Sequence, residues 1–114
     1  MKILRQSTTD KATNYLLARS DNVEKMSDHV DETFTVADFL EYEESDSNGE
    51  IHQLLSIKTG DGKMFATNSP TFVREFDAIC EIFGENDLPE LKIVSGRAQR
   101  SGRQYVTVTL ASDK

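Results

Sequence analysis

Residues 69–84 read SPTFVREFDAICEIFG. Ser69 offers a capping hydroxyl and Pro70 a ring fixed near helical φ; Phe72, Val73, Phe76, Ile79, Cys80 and Phe83 then follow at helical spacing until Gly84 ends the pattern. The spacing predicts one helix with one apolar face. Phe72, Phe76 and Phe83 share that face with Val73 and Ile79, so they read as core rather than as a binding stripe. The fold then depends on how strands are distributed around this helix.

Upstream, Thr33 to Tyr42 is rich in β-branched and aromatic residues, and its alternation slips near Asp38, which predicts a strand with a bulge or bend. The turn cluster Ser45 to Gly49 leads into a second strand, Ile51 to Ile57. Gly60-Asp61-Gly62 closes a tight hairpin onto a short third strand, Lys63 to Thr67. Downstream, Pro89 breaks the chain ahead of a fourth strand, Leu91 to Val94, and Ser95 to Gly102 reads as a hairpin loop. Gln104 to Leu110 alternates cleanly, with Val106, Val108 and Leu110 on one face.

Three strands, a helix and two strands is the element order of the OB-fold, a partly open five-stranded barrel that commonly binds oligonucleotides. A half-open α+β sheet packed on one helix has the same order. The expectation is a mainly β chain with one main helix: an OB-like five-stranded barrel (β-β-β-α-β-β) over residues 31–114, behind a partly helical N-terminal extension over residues 1–30. In that extension Thr8, Thr9 and Asp10 offer caps for a short helix, Lys11 to Arg19, lined on one side by Ala12, Tyr15, Leu16 and Ala18. Ser20 to Val30 reads as a loop.

At 114 residues, with 37% hydrophobic and 29% charged residues, no Trp and a mean hydropathy of −0.51, the chain has room for one modest core under a well-solvated surface. The single cysteine, Cys80, forms no internal disulfide, and the N-terminus lacks a charged start followed by an apolar run, so a reducing cytoplasm is expected. No stretch approaches the roughly 20 apolar residues of a membrane-spanning helix.

A net charge of −7 argues at first against nucleic acid, since phosphate binding is driven by Lys and Arg. The distribution changes that reading. From Glu24 to Glu50 ten acids face one base, a local sum of −9; from Leu91 to Ser112 four bases stand without an acid, a local sum of +4. The acidic run lacks the oxygen spacing and closing Glu of a calcium loop, so no metal is expected; it reads as a solvated face, or as a docking surface for a basic partner or a mimic of DNA charge.

Enzyme templates find no footing. There is no Walker loop, dinucleotide fingerprint or nucleophile elbow, and His29 and His52 lack ligand-like companions at fixed spacing, so neither catalysis nor a cofactor is expected. Cys80, on the apolar side of its helix, reads as a small core residue. The loop carrying Arg97, Arg100 and Arg103 is the best candidate for phosphate contact, because arginines on a hairpin tip fork onto phosphate oxygens and stack on bases. Lys58 and Lys63 are further candidates for the backbone path. Phe65 and Tyr105 point away from the faces carrying Met64, Ala66 and Val106 and are candidate stacking platforms, with Tyr42 and His52, beside the first hairpin loop, as lesser ones. Ordinary packing is the competing reading for each aromatic.

Asp61-Gly62-Lys63-Met64-Phe65-Ala66-Thr67-Asn68-Ser69 leading into a helix, then Leu91 to Gly96, the Arg/Ser/Gly loop and Gln104 to Leu110, resemble the single-stranded DNA-binding proteins of small protein-primed Bacillus phages. The resemblance covers about half the chain, from Ile57 to Leu110. It implies a replication accessory protein that coats displaced single strands with little sequence preference, using aromatic stacking and a modest number of basic contacts. The accompanying expectations are single-stranded DNA and a replication protein as partners, a monomer or homodimer, and the host cytoplasm. The N-terminal third and the acidic first strand depart from that pattern. The alternative from another class is an acidic protein-binding module, or a phage-encoded inhibitor that mimics DNA charge.

Overall fold

The computed structural model describes residues 1–112. In chain order the elements are β1 (Lys2–Gln6), α1 (Lys11–Arg19), β2 (Val23–Lys25), a 3₁₀ turn (Met26–His29), β3 (Thr33–Phe34), β4 (Val36–Ser45), β5 (Ile51–Thr59), β6 (Met64–Thr67), α2 (Pro70–Phe83), β7 (Leu91–Arg97) and β8 (Gln104–Leu110). The protein is mainly β, with two helices and eight strands in two sheets among the described residues. The larger sheet has the order β1-β4-β5-β6-β2 and the smaller β3-β7-β8. The structure is not a closed barrel, because β6 takes β2 as its second neighbour and leaves β8 at an edge.

The central hairpin forms as its composition dictates. β4 and β5 pair antiparallel from Val36↔Thr59 to Ser45↔Ile51, with the irregularity near Asp38 that the broken alternation predicts. Asp46 builds the turn: its carboxylate accepts from the backbone N–H of Asn48 at 2.8 Å and of Glu50 at 3.0 Å. α2 starts where Ser69 caps the Phe72 N–H at 3.3 Å and stops at Gly84, whose φ of 89° suits glycine.

The main core lies between the inner faces of both sheets and α2. Phe39, Leu55, Ile57 and Phe65 come from the larger sheet, Leu91, Ile93 and Val108 from the smaller, and Phe72, Val73, Phe76 and Cys80 from the helix. Phe39 meets Phe76 edge-on, centroids 5.1 Å apart, a geometry that adds about 0.5–1.5 kcal/mol beyond area burial. A second, smaller cluster forms on the outer face of the larger sheet, where Leu17 of α1 packs on Leu40 and Tyr42.

Several expectations are corrected. The first strand is two pieces broken at Thr35, where the Gly60 N–H donates to the Thr35 carbonyl at 3.0 Å. The fourth runs on through Ser95, Gly96 and Arg97, so the hairpin loop is only 98–103. Phe83, the last residue of α2, is exposed, while Phe72 and Phe76 are fully buried. α1 has the expected span but another inner face: Asn14 and Leu17 are buried, and Tyr15 and Leu16 point outward. Ser20 to Val30 is not a plain loop, since β2 pairs in parallel with β6 and Met26 is fully buried. Residues 1–30 supply both edge strands of the larger sheet.

Candidate nucleic-acid interface

An open seam separates β2 and β6 from β8, and a cleft of about 870 Å³ lies in it. One wall is the β2 region, with Val23 and Lys25; the floor includes Leu54 and Ala66; the other wall is Arg103 to Val106. Asn68 and Ser69 close one end, and the Ser69 hydroxyl donates to the Val106 carbonyl at 2.7 Å, tying the start of α2 to β8.

The edge of β8 is open toward this cleft. The Ala98 N–H donates to the Arg103 carbonyl and the Ala111 N–H to the Glu90 carbonyl, and with the β7–β8 register these fix the narrow pairs of the hairpin. Narrow and wide pairs alternate in an antiparallel ladder. The backbone groups of Arg103, Tyr105, Thr107 and Thr109 therefore face β7, and those of Gln104 and Val106 face the seam.

Tyr105 stands on the rim, 36% exposed. It pairs with Gly96 across the hairpin, and its phenol end occupies the space where a side chain on residue 96 would start. Arg97, Arg100 and Arg103 are exposed on the same hairpin, and none forms an ion pair among the described residues. A guanidinium that is not in an ion pair keeps its donors available to an incoming phosphate.

The other sequence candidates lie elsewhere. Phe65 faces away from Met64 and Ala66 as expected, but that face is the core: the ring is 2% exposed, edge-on to Phe34 at 6.3 Å and under the His29 ring at 4.3 Å, so no base reaches it. Tyr42 is 5% exposed beneath α1, and burial raises its pKa. Lys58, half-buried, projects on the α1 side of β5 near Asp10. Lys63 is exposed beside Asp61, at a separate depression of about 210 Å³ that also holds Glu32 and Glu90, an acidic setting for a phosphate contact. His52 is exposed and bonds Asp46 at 2.9 Å. Asp46, Glu50 and His52 place ligand-type atoms within 4.8 Å of one another, but Asp46 already serves the turn.

Two charge clusters escaped sequence reading. His29 sits between Glu32 (Nδ1, 2.7 Å) and Glu24 (Nε2, 2.5 Å). Burial works against its charge, but the bonds to Glu32 and Glu24 prevail and raise its pKa. It ties β2, one wall of the cleft, to the body. On the far side of the core, Arg5 of β1 bonds Asp77 at 2.7 Å and Glu85 at 2.9 Å and reaches Glu41 at 3.4 Å. Glu41 is 2% exposed; burial and a hydrogen bond shared with Asp77 push its pKa well up. It lines neither of the two clefts described, so its role is to hold β1, β4 and α2 together.

Compared with protein-family models, with curated proteins and with solved structures, the chain matches none of them.

Proposed function

We propose that this protein is a non-catalytic single-stranded DNA-binding protein, and that its ligand lies along the open seam of an OB-like, incompletely closed barrel. The observation that carries the reading is the β7–β8 hairpin. It presents an exposed aromatic ring, Tyr105, on the rim of a cleft, beside three arginines without acidic partners among the described residues. A phosphate path next to a stacking platform is how single strands are held with little regard to sequence. On the opposite side of the cleft Lys25 and Asn68 offer a cation and an amide to the same strand, next to the Glu24 carboxylate, which is bonded to His29. The resemblance to phage single-strand binders adds a setting, the coating of displaced strands during phage DNA replication in the host cytoplasm.

The test is fluorescence anisotropy of a labelled oligo-dT of about 30 nucleotides, a length that exceeds the site of one OB-type domain, titrated at several salt concentrations. The three hairpin arginines alone contribute a log–log salt slope near −2, on about 0.7 per contact, and a Lys25 contact would add about −0.7. Arg100→Ala should make the slope shallower by about 0.7. Tyr105→Ala should weaken binding by roughly 5- to 150-fold, the equivalent of about 1–3 kcal/mol for one stacked base. Absence of saturable binding at low salt would sink the proposal and turn attention to the acidic face and a basic protein partner.

A further inference from the structure

The cleft does not end at its floor. Leu54 lines it and also belongs to the cluster that Leu17 of α1 covers with Leu40 and Tyr42, so the outer face of β4 and β5 is a continuation of the same surface. That face carries groups suited to a single strand: the Tyr42 ring, the Ser56 hydroxyl, opposite Leu40 in the ladder, and the Lys58 ammonium. α1 covers the first of these and runs past the others. Leu17 packs where a base would lie on Tyr42, and the Asp10 carboxylate, the N-cap of α1, lies on the same side of the sheet as Lys58 without forming an ion pair with it.

Apart from Asn14, whose Nδ2 donates to Gln6 Oε1 and to the Thr8 carbonyl at 3.0 Å each, few side chains hold the helix to the sheet. Of nine helical residues only Asn14 and Leu17 are buried, while Tyr15 is 65% and Leu16 47% exposed. Two buried oxygens in this region, Ser56 Oγ and Asn14 Oδ1, have no hydrogen-bond partner. Ser56 is fully buried, and an unpaired buried hydroxyl is a standing cost that a hydrogen-bonding occupant would remove. At the C-terminal end α1 is pinned by a half-exposed pair, Arg19–Glu44 at 2.9 Å, which contributes little. A nine-residue helix is too short to persist in water once detached.

We propose that α1 is an intramolecular cover over a second segment of the single-strand groove, and that bound DNA displaces it to reach Tyr42, Ser56 and Lys58. The inference rests on the nucleic-acid reading above. The helix stands in for the ligand, with the apolar side chain of Leu17 in the place of a base. Displacing it lengthens the path available to the strand and adds an aromatic and a cation that the closed protein withholds.

The experiment uses the full chain, labelled oligo-dT, and hydrogen exchange of the α1 amides with and without saturating oligonucleotide, on the parent protein and on Arg19→Glu. That change removes the pin at the helix end without touching the core, and Leu17→Ala, checked for folding by circular dichroism, loosens the cover from beneath. The expected result is that oligonucleotide speeds exchange at Leu16 and Leu17 by about tenfold or more while the strands become more protected. Arg19→Glu should tighten binding by about two- to fivefold despite adding negative charge. Binding by a variant but not by the parent would support the cover in its strongest form. Binding by the parent with unchanged or slower exchange in α1 would overturn the cover and leave the hairpin site standing. No binding by parent or variants would overturn both.

Discussion

Replacing Gly96 by alanine isolates the Tyr105 platform from everything else in the cleft. An ideal Cβ on residue 96 would lie 2.5 Å from Tyr105 Cζ, 2.6 Å from its hydroxyl oxygen and 2.8 Å from Cε1. Carbon atoms settle at about 3.5–4.0 Å, so the ring has to leave. The backbone itself accepts the change, because Gly96 is not among the glycines with positive φ, and alanine suits a strand better than glycine does, by roughly 0.5–1 kcal/mol. Stability should therefore move by less than about 1 kcal/mol, while a lost base stack costs about 1–3 kcal/mol, or roughly 5- to 150-fold in oligo-dT affinity. Anisotropy on Gly96→Ala, Tyr105→Ala and the double variant separates ring placement from ring presence. If Gly96 acts only by placing Tyr105, the double variant binds no worse than Tyr105→Ala alone. The reasoning fails if Gly96→Ala moves the ring, as read from aromatic NMR shifts, yet binds like the parent. It fails equally if the two losses multiply.

Two pH effects follow from the charge clusters. Glu41 is held above its ordinary pKa in the folded state, first by burial and then by the bond shared with Asp77. The unfolded chain thus releases this proton first, and stability falls as pH rises from the ordinary carboxylate range toward the raised folded value. Glu41→Gln should flatten that fall, so calorimetry should show the variant gaining on the parent by roughly 4–8 °C between pH 5 and 8, the effect of about 1 kcal/mol; an equal offset at both pH values would contradict the assignment. His29 is also raised, through Glu32 and Glu24 acting against burial, so its contribution is complete below the ordinary histidine range and is lost as pH passes the raised value. Amide protection factors in β2 should drop by less than about fivefold across that range in the parent and stay level in His29→Gln.

The elements that were legible in the sequence are those whose signals are local. The Ser69-Pro70 start and Gly84 stop of α2, the alternation of β8 and the two glycine-flanked turns each need only neighbouring residues to be understood. β1 and β2 owe their existence to partners far along the chain, Leu40 to Glu43 for one and Met64 to Ala66 for the other, and neither KILRQ nor VEK announces that pairing. Phe65 shows a further limit. Alternation in a four-residue strand says that two faces exist, not which one meets the core, and Phe65 and Thr67 proved to be the inner pair. Tyr42 was misplaced for a third reason. α1 covers the outer face of the sheet, so both faces of β4 are buried at Phe39 to Tyr42 and the strand has no exposed aromatic to offer.

Net charge is a poor guide to this surface because the charges are sorted by the fold. Arg5 gathers Glu41, Asp77 and Glu85; His29 sits between Glu24 and Glu32; Arg19 takes Glu44, and His52 takes Asp46. The basic groups in those clusters are committed to acids, while the hairpin arginines form no ion pair among the described residues. The body measures 38 × 35 × 25 Å, several times the screening length of about 8 Å at physiological salt. A phosphate at the Arg97 to Arg103 hairpin therefore responds mainly to charges within the first 8 Å or so, and the sum of −7 acts as a weak background repulsion. Added salt weakens the phosphate contacts and relieves that background at the same time. The two effects oppose each other, so an acidic protein built this way should hold a single strand with a shallow salt dependence, and a slope much steeper than −2 would require cations that this hairpin does not have.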